Sequence, residues 1–355
     1  MVIHILLLCL AIPNYLFGML KQGDMQKFVK SHSLVDKIPH RGNFTHSLLP
    51  IPNENQLIAT IDKGLISFNC KTHEPTPIPT KTGVANLTFN PDKNVFYGTG
   101  TSTSLVVGHP QNYTCEVLNY SLLHGKLVYN STNKQLYSGQ LNRITVLNHD
   151  GTTNLWNALS SDNVAYVSKI CCNETENALY IGSTKGDIEK RSTSGKFIKS
   201  INVCKDQPIW QMICDQNSGS LFVDTGKNGV IQQCDANLEN LREIRYAGLS
   251  ACTQTLTQDP ISKLLCITSI TNDRERLINI HFLHPNNRTA RLTKPLPLCW
   301  VPQTTACDPI TGTFFVGTGE NILIFKPEKP YLYLSLLNKS VFTVFKTYKK
   351  ICLGS

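Results

Sequence analysis

The chain has 355 residues and a formal net charge of +9, from 34 basic and 25 acidic residues. This basic excess favours acidic partners through long-range attraction. Two apolar segments, Ile3 to Leu10 and Tyr331 to Phe345, are too short or too polar to cross a bilayer as a helix, so we predict no membrane span.

The N-terminus predicts entry into the secretory pathway. A short apolar run, Ile3 to Leu10, follows Met1, and the small residue Gly18 offers a cleavage position. Secretory signal peptides have this length and arrangement. We therefore predict a signal peptide over residues 1–18, an extracellular location, and a lead segment over residues 19–43.

Cysteines and glycosylation sequons agree with secretion. Without Cys9 of the signal peptide, twelve cysteines remain, an even number that is typical of disulfide-bonded secreted proteins. The candidate local disulfides are Cys252 with Cys266 and Cys299 with Cys307. Eight sequons predict N-glycosylation, at Asn43, Asn86, Asn112, Asn119, Asn130, Asn173, Asn287 and Asn338. Two of them, Asn130 and Asn173, fall on turns that we expect to be exposed.

The main body of the chain is a repeat. In each copy an Asn or Asp precedes, by six residues, a pair of adjacent apolar residues, as in Asn173 and Leu179-Tyr180. We call the first residue of each pair the anchor. The anchors are Leu57, in a degenerate copy, then Phe96, Leu136, Leu179, Leu221, Leu265 and Phe314. They lie 39 to 49 residues apart, which is the period of a four-stranded propeller blade.

Each copy contains four β-rich runs separated by turns. The Asx residues favour turns because their side chains bond the backbone two residues on, so we interpret them as scaffold. We predict an all-β protein, a single seven-bladed β-propeller over residues 44–345, with six or eight blades as alternatives. Two further strands are predicted at Tyr331 to Leu334 and Val341 to Phe345, the last of which could close the ring against blade one. Residues 346–355 form a basic tail.

Three cysteines keep the repeat register. Cys172, Cys214 and Cys307 each lie seven residues before an anchor, where they either fill the space between blades or bridge to a neighbouring strand. Near them there is no paired Cys-X-X-Cys and no histidine at ligand spacing. His281 and His284 are three apart on a predicted strand, so their side chains diverge. We therefore predict neither a metal ion nor another cofactor.

One blade carries a family resemblance. Residues 173–196, with an Asx turn, an aromatic strand and a glycine before the third strand, resemble the blades of secreted propellers built from NHL-type or low-density-lipoprotein-receptor-type repeats. The Tyr-Trp-Thr-Asp box of the receptor type is absent. The resemblance implies a secreted propeller and leaves the ligand open.

The inner strands predict where a ligand binds. Polar and aromatic residues lie ten to fourteen positions before their anchors, where the first strands begin, and would line one mouth of the tunnel: Trp210, Gln211, Thr253, Gln254, Trp300, Gln303 and Thr304. Such residues suit noncovalent recognition of a polar ligand or peptide. The alternative for Trp210 and Trp300 is packing between blades.

These features favour a noncatalytic binding module for an extracellular protein or acidic glycan. The first alternative is a metal-dependent enzyme in the tunnel, because some propellers of this shape resemble lactonases and lyases. The predicted inner strands contain no Asp, Glu or His, which argues against that chemistry. The second alternative is a structural glycoprotein of a matrix or coat. Secretion argues against a nucleic-acid partner.

Overall fold

The structure is a computed structural model, and it describes residues 32–40, 44–52, 54–62, 64–100, 104–118, 126–148, 151–157, 165–226, 229–247, 251–271, 278–285, 291–292 and 303–327. All the regular secondary structure in these ranges is β, in seven sheets of four antiparallel strands. No helix in the described ranges is long and apolar enough to cross a membrane.

The blades follow one another along the chain. The strands of blades one to three are β2 (Thr45–Ile51), β3 (Gln56–Ile61), β4 (Gly64–Asn69), β5 (Pro75–Ile78), β6 (Val84–Asn90), β7 (Val95–Gly100), β8 (Leu105–His109), β9 (Thr114–Leu118), β10 (Lys126–Asn130), β11 (Gln135–Gln140), β12 (Arg143–Leu147) and β13 (Thr153–Asn157). Those of blades four and five are β14 (Val167–Asn173), β15 (Ala178–Ser183), β16 (Asp187–Ser192), β17 (Phe197–Asn202), β18 (Gln211–Cys214), β19 (Leu221–Asp224), β20 (Val230–Cys234) and β21 (Arg242–Arg245). Those of blades six and seven are β22 (Ala251–Gln258), β23 (Leu265–Thr271), β24 (Ile278–Leu283), β25 (Arg291–Leu292), β26 (Thr304–Cys307), β27 (Phe314–Gly317), β28 (Asn321–Pro327) and, from the start of the chain, β1 (His32–Pro39).

The blades close into a ring. The first strands β2, β6, β10, β14, β18, β22 and β26 contact one another in cyclic order, so they are innermost and surround a central tunnel. The prediction of a seven-bladed propeller is therefore confirmed, and the degenerate copy at Leu57 forms a complete blade.

The apolar pairs of the repeat have a packing reason. Seven hydrophobic cores lie between the blades, one at each interface. In blade four, Leu179 packs into the core shared with blade three, and Tyr180 packs into the core shared with blade five. Successive strand residues point to opposite faces, so a second strand that is covered on both faces needs two adjacent apolar residues.

A strand that precedes blade one in the sequence closes the ring. Strand β1 pairs antiparallel with β28 and becomes the outermost strand of blade seven, with Ile38 opposite Ile322. The boundary predicted at residue 44 was wrong, because part of the lead segment belongs to the propeller. The predicted signal peptide, the tail strands and the basic tail lie outside the described residues.

The Asx residues are scaffold, as interpreted. Each accepts a hydrogen bond from a backbone N–H two or three residues further on: Asn90, Asn130, Asn173, Asp215, Asp259 and Asp308. The same turns also tie blades together. Lys263 of blade six bonds Asp215 of blade five at 2.6 Å, so these side chains are already engaged within the fold.

Shortening Ile38 tests the closure by β1. Ile38 is 1% exposed in the core between blades seven and one. We expect Ile38→Ala to lower the free energy of unfolding by about 2–4 kcal/mol, measured by urea titration, because it leaves a cavity. Leu34→Ala is the control on the same strand, where the side chain is 45% exposed, and should cost less than ~0.5 kcal/mol. Equal effects of the two substitutions would contradict this strand assignment.

Candidate functional site

The two faces of the ring differ in what they carry. In blades two to seven the Asx turn joins the first strand to the second, so all six Asx turns lie on one face, which we call the Asx face. The turns between second and third strands and the connections from blade to blade lie on the opposite face, which we call the connection face. The inner strands begin at the connection face.

A ring of polar residues lines the tunnel near the connection face. Each member lies ten residues before its anchor on an inner strand, and we call the set the tunnel ring: Ser47, Asn86, Lys126, Lys169, Gln211, Thr255 and Thr304. In six of the seven blades this residue stands opposite the position three after the anchor, as Lys126 opposes Gly139 and Lys169 opposes Gly182. The seven-fold repeat therefore brings these side chains to one level.

Two lysines of the tunnel ring meet across the boundary between blades three and four. Lys126 Nζ donates to Asn86 Oδ1 of blade two at 2.9 Å and also lies within hydrogen-bond reach of Lys169 in blade four. A side chain that contacts both neighbouring blades lies on the axis side of its strand. Both lysines are partly buried. Burial and the nearby Lys126 lower the pKa of Lys169 to about 7, and burial lowers the pKa of Lys126.

A buried carboxylate faces this pair from blade five. Asp224 is fully buried on β19, where Thr60, Thr99 and Thr268 occupy the matching positions of other blades. Its Oδ1 accepts a hydrogen bond from the Gly226 N–H at 2.9 Å. Burial raises the pKa of Asp224 to about 6, although Lys169 acts in the opposite direction. Lys169 thus has a carboxylate within electrostatic range.

Large apolar side chains surround the mouth of the tunnel on the connection face. Phe44, Leu141, Tyr166 and Trp210 are between 46% and 58% exposed, and we call them the apolar rim. Phe44, Tyr166 and Trp210 come directly before the inner strands of blades one, four and five, and Leu141 lies in the β11–β12 turn of blade three. Exposed aromatic and aliphatic groups concentrated at one mouth are typical of an interaction site.

The rim is held by backbone hydrogen bonds. The Tyr166 N–H donates to Thr184 Oγ1 at 3.1 Å, and the Tyr166 carbonyl accepts from the Thr184 N–H at 2.9 Å. The Trp210 N–H donates to the Asp224 carbonyl at 2.8 Å, and its indole lies against Gly226, where an added Cβ would be 2.8 Å from the ring. Both aromatic residues are therefore fixed relative to the tunnel.

The predicted ligand residues divide into three groups. Trp210 is exposed, so the alternative of packing between blades is wrong for it, and Gln211 donates to the Gln254 carbonyl of the next blade at 3.4 Å. Gln303 is exposed and Thr304 partly buried on blade seven, at the same face. Thr253 is buried against the Tyr246 hydroxyl at 2.6 Å and is unavailable to a ligand, which corrects the prediction. Trp300 lies outside the described residues.

The described sequons differ in accessibility. Asn130 and Asn173 are 0% and 1% exposed with their side chains bonded inside the Asx turns, so the expectation that these two are exposed was wrong. Asn86 is engaged with Lys126 in the tunnel. Asn112 is exposed in the β8–β9 turn, where a glycan fits. The other sequons lie outside the described residues: Asn43, Asn119, Asn287 and Asn338.

The described cysteines are free thiols, nine in number. Cys172, Cys214 and Cys307 pack against interblade cores, which is the filling role that the register allowed. The pair of Cys252 with Cys266 is wrong, because Cys252 opposes Ile270 while Cys266 opposes Thr257. Four residues of extended strand separate the two by ~13 Å, beyond disulfide reach. Cys299, the predicted partner of Cys307, lies outside the described residues.

Metal-ligating side chains do not cluster in the described ranges, where no group of three or more His, Cys, Asp or Glu is placed to hold an ion. His281 is buried and bonded to Ser269 Oγ at 2.9 Å, and burial lowers its pKa to about 4. His284 follows the end of β24 and is buried too, and burial also lowers its pKa. Both histidines are part of the packing of blade six.

The lysine pair, Asp224 and most of the rim were not among the predicted site residues. The repeat could have identified the two lysines. Lys126 and Lys169 lie ten residues before their anchors, as do Gln211 and Thr304, which were predicted to bind a ligand. Asp224 reaches the site from a second strand and Leu141 from a turn. Their position depends on how the blades meet.

Replacing Lys169 tests the electrostatics of the tunnel. Its pKa is about 7 in the folded protein, against an ordinary value of 10.5, so the unfolded chain holds a proton that the folded protein loses between these values. The contribution of this group to stability therefore rises with pH across that window. We expect Lys169→Met to raise the free energy of unfolding by about 2 kcal/mol at pH 7, with a larger gain at pH 6 and a smaller one at pH 9, measured by thermal unfolding.

Lys93→Met is the matched control, because Lys93 is exposed on the Asx face and the substitution removes the same charge. A gain in stability that does not change with pH would contradict the assignment to the lysine pair.

Comparison with known proteins supports the fold alone. No family model matches the chain, and no curated protein matches its sequence. The chain is similar to solved structures, of which three follow. The WD40 β-propeller domain of Doa1 has a TM-score of 0.66 at 15% identity, covering 84% of this chain and 98% of that one. Raptor from Chaetomium thermophilum has a TM-score of 0.70 at 12% identity, and the match covers 87% of this chain and 31% of the Raptor chain. The β-propeller domain of Cps50 (Swd1) from Myceliophteria thermophila has a TM-score of 0.65 at 10% identity, covering 83% and 99%.

Proposed function

We propose that this protein is a noncatalytic binding module that holds a protein partner on its connection face. The observation that carries the proposal is the apolar rim, in which four large side chains stay exposed around one tunnel mouth. A soluble protein that exposes such a cluster usually covers it with a partner. Aromatic anchors also supply much of the affinity at protein interfaces.

The surroundings of the rim support recognition rather than chemistry. The side chains beside it include the neutral amides and hydroxyls of Gln211, Gln254, Gln303 and Thr304, as well as the two lysines of the tunnel ring. Amides and hydroxyls orient a bound peptide through hydrogen bonds without reacting with it. The backbone bonds that fix Tyr166 and Trp210 mean that little conformational entropy is lost when a partner binds.

We propose further that the protein works outside the cell. The support comes from the sequence: a signal-like N-terminus, eight sequons and an even number of cysteines after signal removal. Under the same proposal the blades derive from NHL-type or receptor-type repeats, on the pattern of residues 173–196. An acidic glycan is the alternative partner that the basic charge of the chain allows.

Alanine substitutions in the rim test the interaction surface. We expect Trp210→Ala and Tyr166→Ala each to weaken partner binding at least ~10-fold while the melting temperature changes little, because both side chains are largely exposed. The partner is first captured from extracellular fluid by photo-crosslinking from a probe residue at position 141. Its affinity is then measured by surface plasmon resonance.

Matched controls lie on the outer strands. Leu155 on β13 and Ile198 on β17 are about as exposed as the residues of the apolar rim. They lie on the outermost strands of their blades, far from the tunnel. Leu155→Ala and Ile198→Ala should leave the affinity within ~2-fold. If these two weaken binding and the rim substitutions do not, the partner binds the outer edge and the proposal fails.

Glycan mapping tests the extracellular location. In protein secreted from animal cells, we expect Asn112→Gln to remove one glycan that peptide N-glycosidase releases, because Asn112 is exposed. Asn130→Gln should remove no glycan and should lower the melting temperature, because Asn130 is buried and shapes its turn. Mass spectrometry of the released peptides provides the measurement. A protein that stays inside the cell without glycans would contradict secretion.

A further inference from the structure

The lysines of the tunnel ring have no structural need to be charged. Burial of an ammonium group is costly, and two that meet repel each other. Other blades place Ser47, Thr255 and Thr304 at the same register position. The lysine pair therefore destabilises a position that neutral residues fill elsewhere in the ring, and such local cost is common at binding sites.

The geometry points to a receptor for a carboxylate group. We propose that Lys126, whose amine is held by Asn86 Oδ1, and Lys169 bind the side-chain carboxylate of an Asp or Glu that a protein partner inserts into the tunnel mouth. This inference rests on the proposed function for the identity of the partner. The carboxylate site itself rests on the tunnel ring.

Several contacts converge on one place. Lys126 Nζ already donates to Asn86 Oδ1 at 2.9 Å and lies beside Lys169, so polar side chains from blades two, three and four meet here. Both lysines are partly buried, not fully buried. An anion that accepts from both ammonium groups would replace their mutual repulsion with attraction.

The charge balance selects a singly charged ligand. With both amines protonated, two lysines and the Asp224 carboxylate leave one uncompensated positive charge (2 − 1 = +1). A carboxylate neutralises that charge. A phosphate or sulfate group with a second negative charge would instead face repulsion from Asp224, which is buried where water screens it weakly.

The apolar rim explains why the carboxylate would come from a peptide. Trp210 directly precedes Gln211 of the tunnel ring, and Tyr166 lies three residues before Lys169, so rim and ring are within ~10 Å along the strands. A peptide segment lying across the mouth would place apolar side chains on the rim and an acidic one on the lysines. A free carboxylate would use the lysines alone.

The test uses three probes with the full-length protein. They are a fluorescein-labelled, amide-capped peptide of sequence Gly-Phe-Glu-Phe-Gly, the same peptide with Gln in place of Glu, and free glutarate. Fluorescence anisotropy at low ionic strength gives the Kd of the labelled peptides, and competition gives that of glutarate. We expect the Glu peptide to bind at least ~10-fold more tightly than the Gln peptide, and more tightly than glutarate.

The variants are Lys126→Met and Lys169→Met, with Lys93→Met as the control of equal charge change. Each tunnel substitution should weaken the Glu peptide at least ~10-fold and leave the Gln peptide unchanged, and Lys93→Met should stay within ~2-fold. Zero-length carbodiimide coupling of the Glu peptide to the unaltered protein gives an independent readout. The new amide bond, formed with loss of water from the carboxylate and the amine, should map to Lys126 or Lys169 by mass spectrometry.

Four outcomes would overturn the inference: equal affinity of the Glu and Gln peptides, Lys93→Met matching the tunnel variants, coupling elsewhere on the surface, or glutarate binding more tightly than the peptide. Heparin binding that depends on the tunnel lysines would also overturn it, in favour of an acidic glycan. The two proposals can fail separately. If Trp210→Ala loses affinity for the partner while Lys126→Met keeps full affinity, the proposed function stands and only the carboxylate site is rejected.

Discussion

The fold depends on the burial of each second strand between two neighbouring blades. Successive residues of a strand point to opposite faces of the sheet. A strand that is packed between two blades therefore needs apolar residues on both of its faces. Leu179 and Tyr180 do this in blade four, and Phe314 and Phe315 do it in blade seven. Closure of the ring follows, because each apolar pair packs against both neighbouring blades and β1 adds the fourth strand of blade seven.

This constraint also determines where variation is tolerated. The middle of each blade carries apolar residues, and the Asx turns are tied into neighbouring blades, whereas exposed side chains stand at the ends of inner strands on the connection face. The apolar rim and the two lysines occur there. Asp224 occupies a position where other blades have Thr or Gly, and its charge is buried at a cost that no packing role explains. The buried charge of Asp224 therefore lowers stability at this mouth.

Three errors of the sequence interpretation came from contacts between strands and between blades that the sequence alone does not show. An Asx turn is expected to be exposed because turns usually lie on the surface. Asn130 and Asn173 are nevertheless buried, because each of their turns packs against the next blade. Thr253 reads as a tunnel residue, yet a bulge in β22 between Thr253 and Thr255 brings Thr255 to the register position, and Thr253 bonds Tyr246 instead. Cys252 and Cys266 are near in sequence but far apart along their ladder.

The sequence by itself determined the blade count, the order of the strands and the scaffold role of the Asx residues, because these follow from local alternation and a repeat of 39 to 49 residues. It also indicated the mouth at which Trp210 and Gln211 lie. Only the tertiary structure decided which strand closes the ring and which side chains meet across blades. Lys126, Lys169 and Asp224 come from three blades and are separated by some forty to a hundred residues along the chain, so their proximity exists only once the ring has formed.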